Sequence, residues 1–146
     1  MDRSTAVVVT AVAGGLIALQ APINGRFGRA IGSLPAASAS FALGLAALLA
    51  LTAVRGELGR IPEATGVPWH YLLGGLFGAI YVTTVLVTVG SLGAGPVVAA
   101  TIAGQLTVSL VVDHLGLLGV ERDPVTPAKL LGVVLLSAGV ALIVRE

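Results

Sequence analysis

The chain has 146 residues, 56% of them hydrophobic and 10% charged, with a mean hydropathy of +1.03 and a formal net charge of +1. So few charges, against roughly one quarter in soluble domains, exclude an ordinary soluble fold, and a balance near zero gives no attraction for nucleic acid or an acidic partner. The absence of cysteine excludes disulfides, thiolate metal sites and cysteine nucleophiles.

Five apolar stretches, at about 4–23, 34–54, 69–89, 96–118 and 127–144, fill nearly all of the chain. Each reaches or approaches the ~20 residues that span a bilayer as a helix. The expected fold is therefore an all-α membrane protein, a single domain of five transmembrane helices over residues 1–146. Five is odd, which puts the termini on opposite sides of the membrane. A second copy joined in series would enter inverted, as in transporters built from inverted repeats. The chain reads as one half of a 5+5 assembly, pairing as an antiparallel dimer.

The first stretch follows Arg3, and Ala11-Val12-Ala13 imitates a signal-peptide cleavage site, but the apolar run continues to Gln20 and reads as a span. It ends in Gln20-Ala21-Pro22-Ile23-Asn24. Gln20 and Asn24 share a helix face at i, i+4, and Pro22 removes a backbone donor. Two readings stand: a polar cavity lined by the two amides and freed carbonyls, or helix termination with interhelical hydrogen bonds. Residues 25–33 form the first connection, with Ser33 as the expected cap of the second helix and Pro35 in its first turn.

The connection 55–68 is the longest and most polar, carrying Arg55, Glu57, Arg60 and Glu63. Trp69, His70 and Tyr71 are expected to open the third helix as an interfacial aromatic belt. Within that helix Tyr81, Thr84 and Thr88 make a polar stripe, whose threonines are expected to satisfy their own backbone carbonyls. Gly74 and Gly78 form a small-xxx-small pair. An uncharged hairpin at 90–95 leads to Pro96 at the start of the fourth helix.

The fourth stretch carries the sharpest signal. Thr101, Gln105, Ser109 and Asp113 recur every four residues and form one slowly rotating stripe, ~18 Å long at 1.5 Å per residue. Ionisable groups at membrane depth face a cavity, a partner or a substrate. Against this, Asp113 stands near the end of the stretch, where headgroup water or a loop arginine is within reach. His114 points ~100° away from Asp113 on a 3.6-residue helix and is read as interfacial, not as part of a dyad. Thr126 then caps the fifth helix with Pro127 at its first position. There Ala128, Gly132 and Gly139 leave a smooth face for another helix.

Lys and Arg divide five against three: Arg3, Arg55, Arg60, Arg122 and Lys129 on the N-terminal side, and Arg26, Arg29 and Arg145 on the other. This leans towards a cytoplasmic N-terminus, but so small a bias also suits insertion in both orientations, a dual topology. Phosphate-loop, dinucleotide, metal-ligand and nucleophile–base patterns are missing, so no enzyme, metal or cofactor is expected.

The segments Gln20-Ala-Pro-Ile-Asn24, Gly78-Ala-Ile-Tyr81-Val-Thr83, Gly104-Gln105 and Asp113-His114-Leu-Gly116 resemble the YdcZ-type family of the drug/metabolite transporter superfamily. Its members are short bacterial inner-membrane proteins labelled as exporters. Leu131-Gly132-Val-Val-Leu-Leu-Ser137-Ala-Gly139-Val140 also resembles the last helix of small multidrug resistance transporters, where similarly spaced glycines mediate dimerisation. The resemblance implies a multi-pass inner-membrane unit working as a pair, either a homodimer or a heterodimer with a homologous chain. Small multidrug resistance proteins exchange protons through a glutamate in the first helix. Here that helix holds only Gln20 and Asn24, and Asp113 is the one acid near membrane depth that could substitute.

The expected function is small-molecule transport, with a cavity between subunits lined by Gln20, Asn24, Tyr81, Gln105, Ser109 and Asp113, and a dimer contact at Gly132 and Gly139. A non-transporting scaffold or accessory subunit of another membrane complex is the alternative reading, and a channel a third.

Overall fold

A computed structural model describes residues 2–145. Among them, five helices are long and apolar enough to cross a membrane. The α-helices are α1 (Arg3–Ile31), α2 (Ser33–Val54), α3 (Leu73–Leu92), α4 (Ala94–Leu115) and α5 (Pro127–Arg145), with 3-10 segments at Leu58–Gly66, Trp69–Leu72 and Leu117–Gly119; the third span, Trp69–Leu92, joins the turn Trp69–Leu72 to α3. The chain falls into two units, one up to Gly90 with α1, α2 and nearly all of α3, the other from Ser91 with α4 and α5.

The helices begin and end where local chemistry directs them. Asp2 caps α1: its Oδ1 accepts from the Thr5 amide and its Oδ2 from the Thr5 hydroxyl, both at 2.8 Å. The Thr5 amide bond, then its hydroxyl bond, hold the exposed Asp2 carboxyl below the usual carboxylate range. A lone glycine with positive φ joins α1 to α2 (Gly32, φ 95°), and another joins α3 to α4 (Gly93, φ 84°). A side chain would be strained at either joint. Thr126 caps α5 as expected, its Oγ1 accepting from the Lys129 amide at 3.3 Å.

Several boundaries depart from the sequence reading. The first helix does not end at Ile23 but runs through Pro22 to Ile31, so most of the expected first connection is helical. In lipid an opened backbone has no water to bond, so the helix absorbs the missing proline donor and continues. At 29 residues α1 is about 43 Å long, more than the ~30 Å hydrocarbon core, and its surplus end carries Arg26 and Arg29. Ser33 is not the cap of α2; Gly32 holds that position and Ser33 is the first helical residue. Trp69, His70 and Tyr71 lie in a 3-10 turn that leads into α3. Helix α3 reaches Leu92, and α4 starts at Ala94 and stops at Leu115, three residues short of the expected end, with Gly116 in the left-handed conformation.

Packing within the first unit is built on small residues. Ala36 and Ala37 of α2 meet Val82 and Leu86 of α3 in a buried cluster, with Tyr81 packed against it. On α1 the buried face is Ala21, Asn24 and Gly25. A Cβ added at Gly25 would lie 2.7 Å from Val89 Cγ1, and one at Gly28 would lie 2.9 Å from Leu86 Cδ2, so these glycines admit α3 side chains almost to the α1 backbone. In the second unit α4 packs against α5. Large apolar side chains elsewhere point outward, Leu43, Leu135 and Leu142 among them. That distribution suits lipid as the solvent, where an exposed leucine costs nothing.

Candidate functional site

Among the described residues of the first unit Asn24 is the buried polar one, and its Oδ1 accepts a hydrogen bond from Ser40 Oγ of α2 at 3.0 Å. This is the interhelical bond anticipated as one reading of the Gln20–Asn24 segment, without the helix termination that accompanied it. Gln20, one turn earlier, is exposed. Tyr81 is half-buried, its ring against the alanine–valine–leucine cluster.

The threonines of α3 behave as expected. Thr84 Oγ1 donates to the Ile80 carbonyl and Thr88 Oγ1 to the Thr84 carbonyl, each at 2.9 Å. A hydroxyl satisfied by its own helix carries little net polarity into lipid. A groove of about 470 Å³ runs along this face, lined by Ala79, Ile80, Thr83, Thr84, Val87 and Thr88. A second, of about 260 Å³, lies between α2 and α3 and is lined by residues including Ser38, Phe41 and Thr83. Gln20, Asn24 and Tyr81 line neither groove.

On α4 the four-residue stripe is intact. Thr101 and Asp113 are half-buried, Gln105 and Ser109 exposed. Ser109 Oγ bonds the Leu106 carbonyl at 3.0 Å, which leaves the Gln105 amide and the Asp113 carboxyl as the stronger polar groups of the face. Because α4 stops at Leu115, Asp113 stands in its last turn. The following loop is fastened there: the Asp123 amide donates to the Asp113 carbonyl at 2.9 Å, and Arg122 Nε to the His114 carbonyl at 3.0 Å. His114 Nδ1 accepts from the Val125 amide at 3.2 Å, so its imidazole organises the loop and does not join Asp113 in a dyad. Lys129 closes the arrangement, with Nζ 2.6 Å from Asp123 Oδ1 and donating to the Pro124 carbonyl at 3.1 Å.

On α5, a Cβ placed at Gly132 or Gly139 meets no atom within 4 Å. Of the α3 pair, Gly74 is similarly open, while a Cβ placed at Gly78 would lie 3.6 Å from the Phe41 ring of α2. Two features escaped the sequence reading. Ser40 was not singled out as a partner for Asn24, and Ala21, Gly25 and Gly28 were not recognised as a packing face. Their i, i+4, i+7 spacing was the available signal, hidden by ending the helix at Ile23.

A family model described as "Putative inner membrane exporter, YdcZ" matches residues 5–142, nearly the whole chain. No curated protein and no solved structure matches it. With five apolar membrane-spanning helices and this match, the chain belongs to the YdcZ family of the drug/metabolite transporter superfamily and is a multi-pass protein of the inner membrane.

Proposed function

We propose that the protein exports a small molecule as a pair of five-helix chains in opposite orientation, with the substrate cavity between subunits. The carrying observation is the stripe on α4, where Gln105 and Ser109 are exposed and Asp113 is half-buried. A row of polar groups about 18 Å long is costly against hydrocarbon and calls for a partner surface or an aqueous cavity. The lining we assign is Gln20, Tyr81, Gln105, Ser109 and Asp113, while Asn24, buried and bonded to Ser40, holds the α1 face behind it. The amides and the phenol supply hydrogen bonds, and Asp113 supplies a counter-charge or proton site. The open faces at Gly132 and Gly139 serve as the contact between subunits, in a homodimer or with a homologous chain. No catalytic step is assigned to the protein.

The test has two parts. Single cysteines replacing Leu92, exposed beside the α3–α4 joint, and Arg60, in a chain that has none of its own, should both be labelled in part by a membrane-impermeant thiol reagent in intact cells. Full labelling at one site and none at the other would exclude the antiparallel homodimer. Purified protein in liposomes, offered compounds that raise its melting temperature, should then move solute unaided. Absence of flux for every stabilising compound would overturn transport in favour of an accessory subunit.

A further inference from the structure

The connection between α2 and α3 holds a pattern that the transport reading leaves unused. In a 3-10 helix residues three apart eclipse one another. Over Leu58–Gly66 the apolar residues Leu58, Ile61 and Ala64 keep that interval, with Val67 following at the next step. Glu57, Arg60 and Glu63 keep the same interval one position earlier. The segment is therefore amphipathic in its own geometry, with an apolar row beside a charged row. Nine residues is long for a 3-10 run, whose hydrogen bonds are poorer than those of an α-helix.

The apolar row is uncovered: Leu58 is 45% exposed, Ile61 48% and Val67 43%. Trp69 and Leu72, in the next 3-10 turn, are exposed at 73% and 60%. With Arg55 the charged row balances, two arginines against two glutamates: Arg60 Nε lies 4.0 Å from Glu63 Oε2 and Arg55 Nε 3.6 Å from Glu57 Oε1. Both ends of the segment continue into membrane-spanning helices, so its backbone is held at the bilayer surface by the chain itself.

We infer that the segment from Leu58 to Val67, with Trp69 at the head of the third span, is an interfacial anchor lying flat in the headgroup–acyl boundary, held by apolar and aromatic insertion and indifferent to lipid charge. Insertion by ~5–10 Å covers the row Leu58, Ile61, Ala64 and Val67 together with Trp69, while the paired charges stay in headgroup water. Because Arg55 and Arg60 are balanced by Glu57 and Glu63, the segment carries no net charge and anionic lipid adds little. This follows from the membrane setting alone and holds whether or not the protein transports.

The protein's single tryptophan and lack of cysteine make the test direct. Full-length protein is placed in nanodiscs of phosphatidylcholine alone or with phosphatidylglycerol. Trp69 emission should be quenched severalfold more by lipids brominated high on the acyl chain than by aqueous acrylamide. An Ile61→Cys variant carrying an environment-sensitive fluorophore should report the same apolar surroundings, and both signals should persist in high salt. Aqueous quenching of Trp69, or an aqueous signal at position 61 beside a buried Trp69, would overturn the anchor. Burial that appears only with anionic lipid, or is lost in salt, would overturn its charge-independence and show electrostatic attachment instead.

Discussion

Replacing Gly25 by alanine tests the close approach of α1 to α3. The new Cβ would stand 2.7 Å from Val89 Cγ1, inside any normal carbon–carbon contact. Val89 is poorly able to yield, because a β-branched side chain in a helix has one strongly preferred χ1. Inserting a methylene into a packed contact costs about 1–3 kcal/mol, while exchanging glycine for alanine in a helix returns up to about 1 kcal/mol of propensity. A control separates the two effects: Gly14, on the same helix, has no atom within 4 Å of an added Cβ. Gly14→Ala should be neutral or stabilising, and Gly25→Ala less stable than that control by about 1–3 kcal/mol. Gly28→Ala should fall between them, since the obstructing atom is Leu86 Cδ2, the far end of a more flexible side chain. The assay is reversible unfolding in mixed micelles of rising SDS fraction, followed by circular dichroism. Adding Val89→Ala to Gly25→Ala should recover part of the loss, giving a favourable coupling energy in the double-mutant cycle. Equal stability of Gly25→Ala and Gly14→Ala, with no coupling to Val89, would refute the proposed packing.

Four other outcomes are expected. Removing the Asn24–Ser40 bond by either alanine substitution should cost about 0.6–1.7 kcal/mol in the same assay, and the double variant should cost less than the two single losses together. Asp113→Asn preserves shape but removes the titratable group, so the variant should fold normally and lose pH-dependent uptake or ligand binding; unchanged pH dependence would confine Asp113 to an interfacial role. Gly132→Leu combined with Gly139→Leu should give monomer in mild detergent, and a variant that still crosslinks as a dimer would place the subunit contact elsewhere. The Asp2 cap should carry a pH signature. Because its carboxyl is lowered in the folded state from an ordinary 3.8, its contribution is present in full above that value and lost as pH falls through the lowered one. The protection of the Thr5 amide, its exchange rate taken relative to the intrinsic rate at each pH, should therefore fall on acidification in the wild type, while Asp2→Ala, already unprotected, should lack this step.

The five spans were legible in the sequence because lipid leaves a crossing segment few options. Its backbone must be satisfied internally, so length and hydropathy suffice to locate helices without knowledge of their neighbours. Local chemistry likewise announced Thr126 as a cap and the back-bonding of Thr84 and Thr88, which involve residues no more than four apart. The family was readable for a related reason: its motifs are local, within single helices at Gln20–Asn24 and Gly78–Thr83 and across the end of α4 at Asp113–Gly116. Which faces meet was a different matter. In membrane helices a side chain touching lipid and one touching another helix are both apolar, so periodicity does not separate Val85, which is buried, from Val87, which is exposed. The continuation of α1 past Pro22, the pairing of Asn24 with Ser40 and the seating of Val89 on Gly25 were decided by tertiary structure. Each depends on a partner distant in sequence or on a backbone with no water to turn to, and neither leaves a mark in a hydropathy pattern.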